Sequence, residues 1–219
     1  MSMKLTKPKA ILFDWDNTLA DTWPTIHQAM SETFTAMGHE PWSMEVTKER
    51  VHRSLRDSFP EIFGDRWEEA GDLYITNFRR VHLEKLTPLE DAEEVLKALK
   101  DTDIYVALVS NKTGSSLRLE VDHIGWNCYF SKVIGAKDAD EDKPSIKPVL
   151  LALEGSGITP GQDVWFVGDS VTDMECAYNA NCIPIFYGDQ DLSSERFKDF
   201  QPVRHFKNHA DLVAFIKGF

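Results

Sequence analysis

A chain of 219 residues, 42% hydrophobic and 27% charged, is long enough to bury a sizeable core and too apolar to be disordered. Its formal charge of −12 leaves no basic face for a nucleic-acid backbone, and its apolar runs are strand-sized, so neither nucleic acid nor membrane is expected as a partner. Cys128, Cys176 and Cys182 form no CxxC pair and no even disulfide set; they read as reduced packing thiols of a cytoplasmic protein.

The chain starts basic, but its first apolar run meets Asp14 within a few residues, so no secretory leader is expected. That run, Ala10-Ile11-Leu12-Phe13, is apolar without alternation, as a parallel strand covered on both faces requires. From Asp21 to about Thr87 only helical patterns occur. Ile26, Ala29, Met30, Thr33, Phe34 and Met37 share one helical face, begun by Pro24 and ended by Gly38. Trp67, Ala70, Tyr74, Phe78 and Val81 mark another, with Asp65 as its expected cap. Both stripes read as helix-on-helix packing.

After Thr87-Pro88, a return hinge, strands and helices alternate. Asp91 is expected to cap a helix that turns Val95, Leu96 and Leu99 inward. The strand Ile104–Val109 follows, then a helix carrying Leu117, Val121 and Ile124. Weaker strands are predicted at Lys132–Gly135 and Ile183–Phe186, the second nearer a sheet edge because of Pro184. Between them lies a strong strand, Val164–Val167, and the last helix spans about Ala210 to Lys217. The pattern predicts a doubly wound α/β core with a parallel sheet, from residues 1–20 and 88–219, and an inserted all-helical cap from 21–87.

Polar residues gather where the strong strands end. Asp14 and Asp16 alternate along an extended chain and project together beyond the first strand, where ligands of open α/β sheets bind. By itself the segment also reads as a polar turn, but its place directly after an apolar strand near the N-terminus favours a site. Ser110-Asn111 ends the second strong strand. Gly168-Asp169-Ser170-Val171-Thr172-Asp173 follows the third, and Asp169 alone serves equally as a helix cap, with Asp173 one turn further on. Lys143 lies in a loop where Lys137 and Lys147 compete with it. Together these residues need a hard cation between the acids, and Mg²⁺ suits carboxylates, water and substrate phosphate. Lys143 and Ser110 would then hold phosphoryl oxygens.

In order, Asp14-Trp15-Asp16-Asn17-Thr18, Ser110-Asn111-Lys112, Lys143-Pro144 and Gly168 to Asp173 resemble the four motifs of the haloacid dehalogenase superfamily. The resemblance spans about Ala10 to Phe186 and is to the subgroup with a helical cap after the first motif, which includes phosphoglycolate phosphatase-like enzymes. It implies an Mg²⁺-dependent phosphohydrolase acting on a small phosphorylated metabolite. Asp14 would be the nucleophile and Asp16 the general acid and base. Asp14, the main-chain carbonyl of Asp16 and Asp169 would hold the metal, with Asp173 acting directly or through water. Ser110, Asn111 and Lys143 would bind the phosphoryl group, and Thr18 would support the loop beside it. Two positions depart from the family pattern: Asn17 stands where glycine is common, and Ile146 replaces a frequent proline. Asp16 argues against dehalogenase and phosphonate-cleaving relatives, which lack the acid there. The alternatives are a sugar-phosphate mutase and a non-catalytic binding protein. In the helical insert, His52, Arg53 and Arg56 read first as an exposed face, with Arg56 a candidate for the substrate's remote end. The identity of the ester and the oligomeric state are not legible.

Overall fold

Burial on both faces explains why the strong strands carry no polar alternation. The computed structural model describes residues 5–51 and 53–218; His52 lies outside them. Strand β1 (Ala10–Phe13) runs through the middle of a six-stranded sheet and β6 (Val164–Gly168) beside it, and every residue of both is buried. The other strands are β4 (Tyr105–Thr113), β5 (Lys132–Ala136), β7 (Ile183–Tyr187) and β8 (Arg204–Phe206), in the order β5-β4-β1-β6-β7-β8 and parallel throughout. From β1 the chain builds outward to β4 and β5, then returns to β6, β7 and β8 on the opposite side. The order reverses at β1, and a crevice opens at such a point beyond the carboxyl ends of the strands.

Helices α5 (Ala92–Lys100), α6 (Gly114–His123), α7 (Lys147–Leu153), α8 (Val171–Asn179) and α9 (His209–Ile216) belong to this unit, which comprises Met1–Ala20 and Pro88–Phe219. Leu12, Ala107, Val109, Val149, Val164, Phe166 and Ala177 form one continuous core. Cys176 and Cys182 are part of it, while Cys128 is exposed; all three are free thiols.

The second compact unit, Asp21–Thr87, holds α1 (Trp23–Ala36), α2 (Met44–Arg50), α3 (Leu55–Phe63) and α4 (Trp67–Lys85). Pro24 opens α1 and Gly38 follows it with φ +79°, a left-handed angle that glycine adopts without strain. The buried faces of Met30, Phe34, Phe59, Phe63, Ala70 and Phe78 meet in its core. Where the chain leaves and rejoins the α/β unit, the short strands β2 (Ala20–Asp21) and β3 (Thr87–Pro88) pair in a two-stranded ribbon. Among the described residues, no helix is long and apolar enough to cross a membrane.

Two local expectations are corrected. Asp91 stands before α5, but its φ of +57° departs from the extended geometry of a capping side chain, and it makes no cap hydrogen bond. Asp65 lies inside a single 3₁₀ turn, Gly64–Arg66, and so cannot cap α4. Pro184 lies nearer an edge than the central strands, as expected, with only β8 outside β7. A parallel strand aims successive N–H groups at alternate neighbours, so proline forgoes one bond, while the Pro184 carbonyl still accepts from Val203 N at 2.9 Å. Strand β8 itself was not expected, since Arg204 and His205 interrupt any apolar run.

Leu12 is fully buried in the central strand. Leu12→Ala should cost about 2–5 kcal/mol of stability, read as a lower urea midpoint with an unchanged slope.

Candidate active site

The chain leaves β1 under close control. Asp14 N still donates to Val167 O at 2.9 Å, extending the pairing with β6 by one residue. A tight turn follows, in which the N–H groups of Leu19 and Ala20 donate to Trp15 O (3.0 and 3.1 Å) and Asn17 N donates to Ala20 O (2.7 Å). Asn17 takes φ +58°, an angle asparagine tolerates better than most side chains, so it can stand where glycine is common. Thr18 is wholly enclosed, and its carbonyl accepts from His209 Nε2 at 2.8 Å. It therefore offers the loop support and a ligand no surface.

At the end of β6, Ser170 rather than Asp169 caps α8. Ser170 Oγ accepts from Asp173 N (3.3 Å), and Asp173 Oδ2 accepts from both the N–H and the hydroxyl of Ser170 (3.0 and 2.6 Å). This capping box pins Asp173 in the first turn and leaves Asp169 at the strand end. Gly168 is required here: a Cβ on it would lie 2.4 Å from Asp173 Cγ.

Lys143 is buried between the two acidic segments. Its Nζ donates to Asp14 Oδ1 at 2.7 Å and to Asp173 Oδ1 at 2.6 Å. The competing lysines are elsewhere: Lys137 is exposed, and Lys147 pairs with Glu141 at 3.0 Å. Asn111 holds Lys143 in place, its Nδ2 donating to the Lys143 carbonyl (3.0 Å) and its Oδ1 accepting from the Lys143 N–H (2.9 Å). Both ends of this amide are engaged, so Asn111 clamps Lys143 in this structure. Ser110 is buried in β4 within a break in the pairing with β5 between Val109 and Thr113, and its Oγ accepts from Lys112 N at 3.3 Å.

Asp14, Asp169 and Asp173 each offer an oxygen, and these three atoms lie within 4.8 Å of one another. The Asp16 carboxylate stands apart from that group. Its Oδ1 accepts from Lys112 Nζ at 2.5 Å, and Lys112 also donates to Glu120 at 2.9 Å. Trp15 Nε1 donates to the same Glu120 oxygen at 2.6 Å. The roles of Lys112 and Glu120 were not foreseen. The available signal was Glu120 itself, an acid on the apolar stripe of Leu117, Val121 and Ile124.

In the helical unit, Arg53 is paired with Glu61, and Arg56 lies half-buried on α3.

Burial and mutual repulsion disturb the acids. Loss of solvent, then the nearby Asp173 and Asp16, push Asp14 from 3.8 up to about 7 despite the opposing pull of Lys143. Burial, Asp173 and Asp14 raise Asp169 well above the ordinary carboxylate range. A folded-state value above the unfolded one means that the folded form holds the proton more tightly. The stability from this group is therefore present below the ordinary value of 3.8 and is lost as pH rises towards about 7. In EDTA, Asp14→Asn should melt a few degrees above the parent at about pH 8, the gap closing towards about pH 4; calorimetry across that range checks it.

The family profile for haloacid dehalogenase-like hydrolases matches residues 11–186. The chain is 28% identical over 203 residues to a phosphoglycolate phosphatase of Chromobacterium violaceum, covering 88% of this chain and 91% of that one. It is 30% identical over 176 residues to the phosphoglycolate phosphatase of Aquifex aeolicus, covering 78% and 81%. A solved HAD-superfamily hydrolase from Ehrlichia chaffeensis superposes with a TM-score of 0.67 at 32% identity, covering 98% of each chain. With its helical insert after the first strand and its reversed six-stranded sheet, the chain belongs to the haloacid dehalogenase-like hydrolases as an enzyme of the phosphoglycolate phosphatase-like type.

Proposed function

We propose that the chain hydrolyses a phosphate monoester of a small metabolite, with Mg²⁺ as cofactor and Asp14 as nucleophile. The observation that carries this reading is Lys143 Nζ, buried and bonded to Asp14 and Asp173, beside three carboxylate oxygens lying within 4.8 Å of one another. The donor set fits a hard divalent cation. All its atoms are oxygens, and one ammonium group leaves the raised carboxyls of Asp14 and Asp169 undercompensated. Asp14, Asp169, Asp173 and the main-chain carbonyl of Asp16 would hold the ion. When bound, Mg²⁺ supplies positive charge that lets an anionic ester approach anionic side chains.

The protein's own residues then divide the work. In the first half-reaction an oxygen of Asp14 bonds to phosphorus as the bond from phosphorus to the ester oxygen breaks, and Asp16 gives its proton to that leaving oxygen. In the second, water bonds to phosphorus, the Asp14–phosphorus bond breaks, and the proton of the water passes to Asp16. Lys143 and Ser110 hold the non-bridging oxygens throughout, where charge must be stabilised. Asn111 keeps Lys143 on station. Residues 1–20 and 88–219 serve as the catalytic core. Residues 21–87 serve as the cap that contributes specificity, with Arg56 the candidate for the remote end of the substrate. The names of the relatives make phosphoglycolate the first ester to test.

Phosphate release from p-nitrophenyl phosphate and from a panel of phosphoglycolate, sugar phosphates and nucleotides should require Mg²⁺ and stop in EDTA. Asp14→Asn should lose at least about 10³-fold in kcat while keeping its fold; near-normal turnover by this variant would remove the nucleophile assignment. Gly168→Ala forces Asp173 aside, so it should weaken the stabilisation by Mg²⁺ and raise the concentration needed for half-maximal activity by about tenfold or more.

A further inference from the structure

Glu120 is fully buried on α6, yet it belongs to no metal group among the described residues, and no motif assigns it a role. An ion pair in the interior is weak evidence for stability, because well-packed apolar residues of similar volume are often as stable or more so. Here the pair is elaborate. Glu120 Oε2 accepts from Trp15 Nε1 at 2.6 Å and from Lys112 Nζ at 2.9 Å, and Lys112 Nζ reaches on to Asp16 Oδ1 at 2.5 Å. Trp15 is itself fully buried, edge-on to Trp126 with ring centroids 5.8 Å apart. The inner end of this chain of contacts is therefore anchored in packed aromatic side chains. Its other end is Asp16, whose side chain keeps 20% of its surface exposed.

Lys112 also links two parts of the site, since its N–H donates to Ser110 Oγ while its side chain holds Asp16. A lysine with one carboxylate partner in an acid-rich crevice would be drawn towards Asp14, Asp169 and Asp173 as well. Glu120 supplies a second carboxylate that holds Lys112 beside Asp16.

We propose that Glu120 is a positioning residue for proton transfer: anchored by Trp15, it fixes Lys112, and Lys112 fixes one oxygen of Asp16 so that the other meets the leaving group. This inference rests on Asp16 as the acid of the proposed reaction. The proton balance is that of the first half-reaction, in which the proton leaves Asp16 for the ester oxygen as its bond to phosphorus breaks. The triad does not itself lose or gain a proton.

The test is the dependence of kcat/KM on the leaving group, because kcat/KM covers the step in which Asp16 protonates that group. A p-nitrophenolate departs with little help from an acid, whereas an alkoxide needs it. Glu120→Gln keeps the shape of the side chain and removes its charge. It should lower kcat/KM for alkyl phosphates by about tenfold or more and for p-nitrophenyl phosphate by less than about threefold. Trp15→Phe, which removes the indole donor and leaves a small cavity beside Trp126, should tilt the series the same way by a smaller factor, and it tests the anchor independently of the charge of Glu120. Equal losses across the series in both variants, or no loss in either, would overturn the proposal. Asp16→Asn separates the two levels of the argument. A steep series for it beside flat ones for Glu120→Gln and Trp15→Phe removes the positioning role alone, while a flat series for Asp16→Asn removes the acid assignment and the positioning role together.

Discussion

Like charges do not gather in a protein interior unless something holds them there. Asp14, Asp169 and Asp173 converge at the carboxyl ends of β1 and β6 with one lysine among them, and burial drives the carboxyls of Asp14 and Asp169 towards the neutral form. Backbone pairing supplies the restraint. The hydrogen bond from Asp14 to Val167 and the capping box between Ser170 and Asp173 fix the acids on rigid elements, so their repulsion cannot relax by drifting apart. Such a gathering of acids is what the proposed divalent cation would stabilise.

Two lysines divide the acids into separate jobs. Lys143 serves Asp14 and Asp173, the pair proposed to face phosphorus and metal, and Asn111 secures it by its backbone. Lys112 serves Asp16 and is secured from behind by Glu120 and Trp15. The proposed nucleophile and proton carrier are separated by a single residue along the chain, yet each has its own cation and its own support. Nearby carboxyl groups acquire different behaviour in this way, through different surroundings.

The motif order and the unbroken apolar strands made the α/β class and the acidic strand ends readable from residues alone. Helical periodicity likewise carried the two long helices of the insert, α1 and α4, because one-sided burial leaves a stripe that no loop would keep. The failures have local causes. Caps depend on backbone angles, so Asp91, Asp65 and Asp169 looked equally suited to a role that Ser170 alone among these four performs. An edge strand as short as β8 needs little apolar surface, and Arg204 and His205 hid it.

The amino-acid order by itself determined which chemistry the protein carries, since carboxylates, a lysine and hydroxyl groups after buried parallel strands are set by residue type and spacing. Only tertiary structure decided the pairings. Lys143 was chosen over Lys137 and Lys147, Asn111 became a clamp, and Glu120 was drawn to Trp15, because each depends on distances between segments about 30 to more than 100 positions apart along the chain. Spacing along a strand or helix is a local property; the meeting of distant side chains is produced by the order of strands in the sheet.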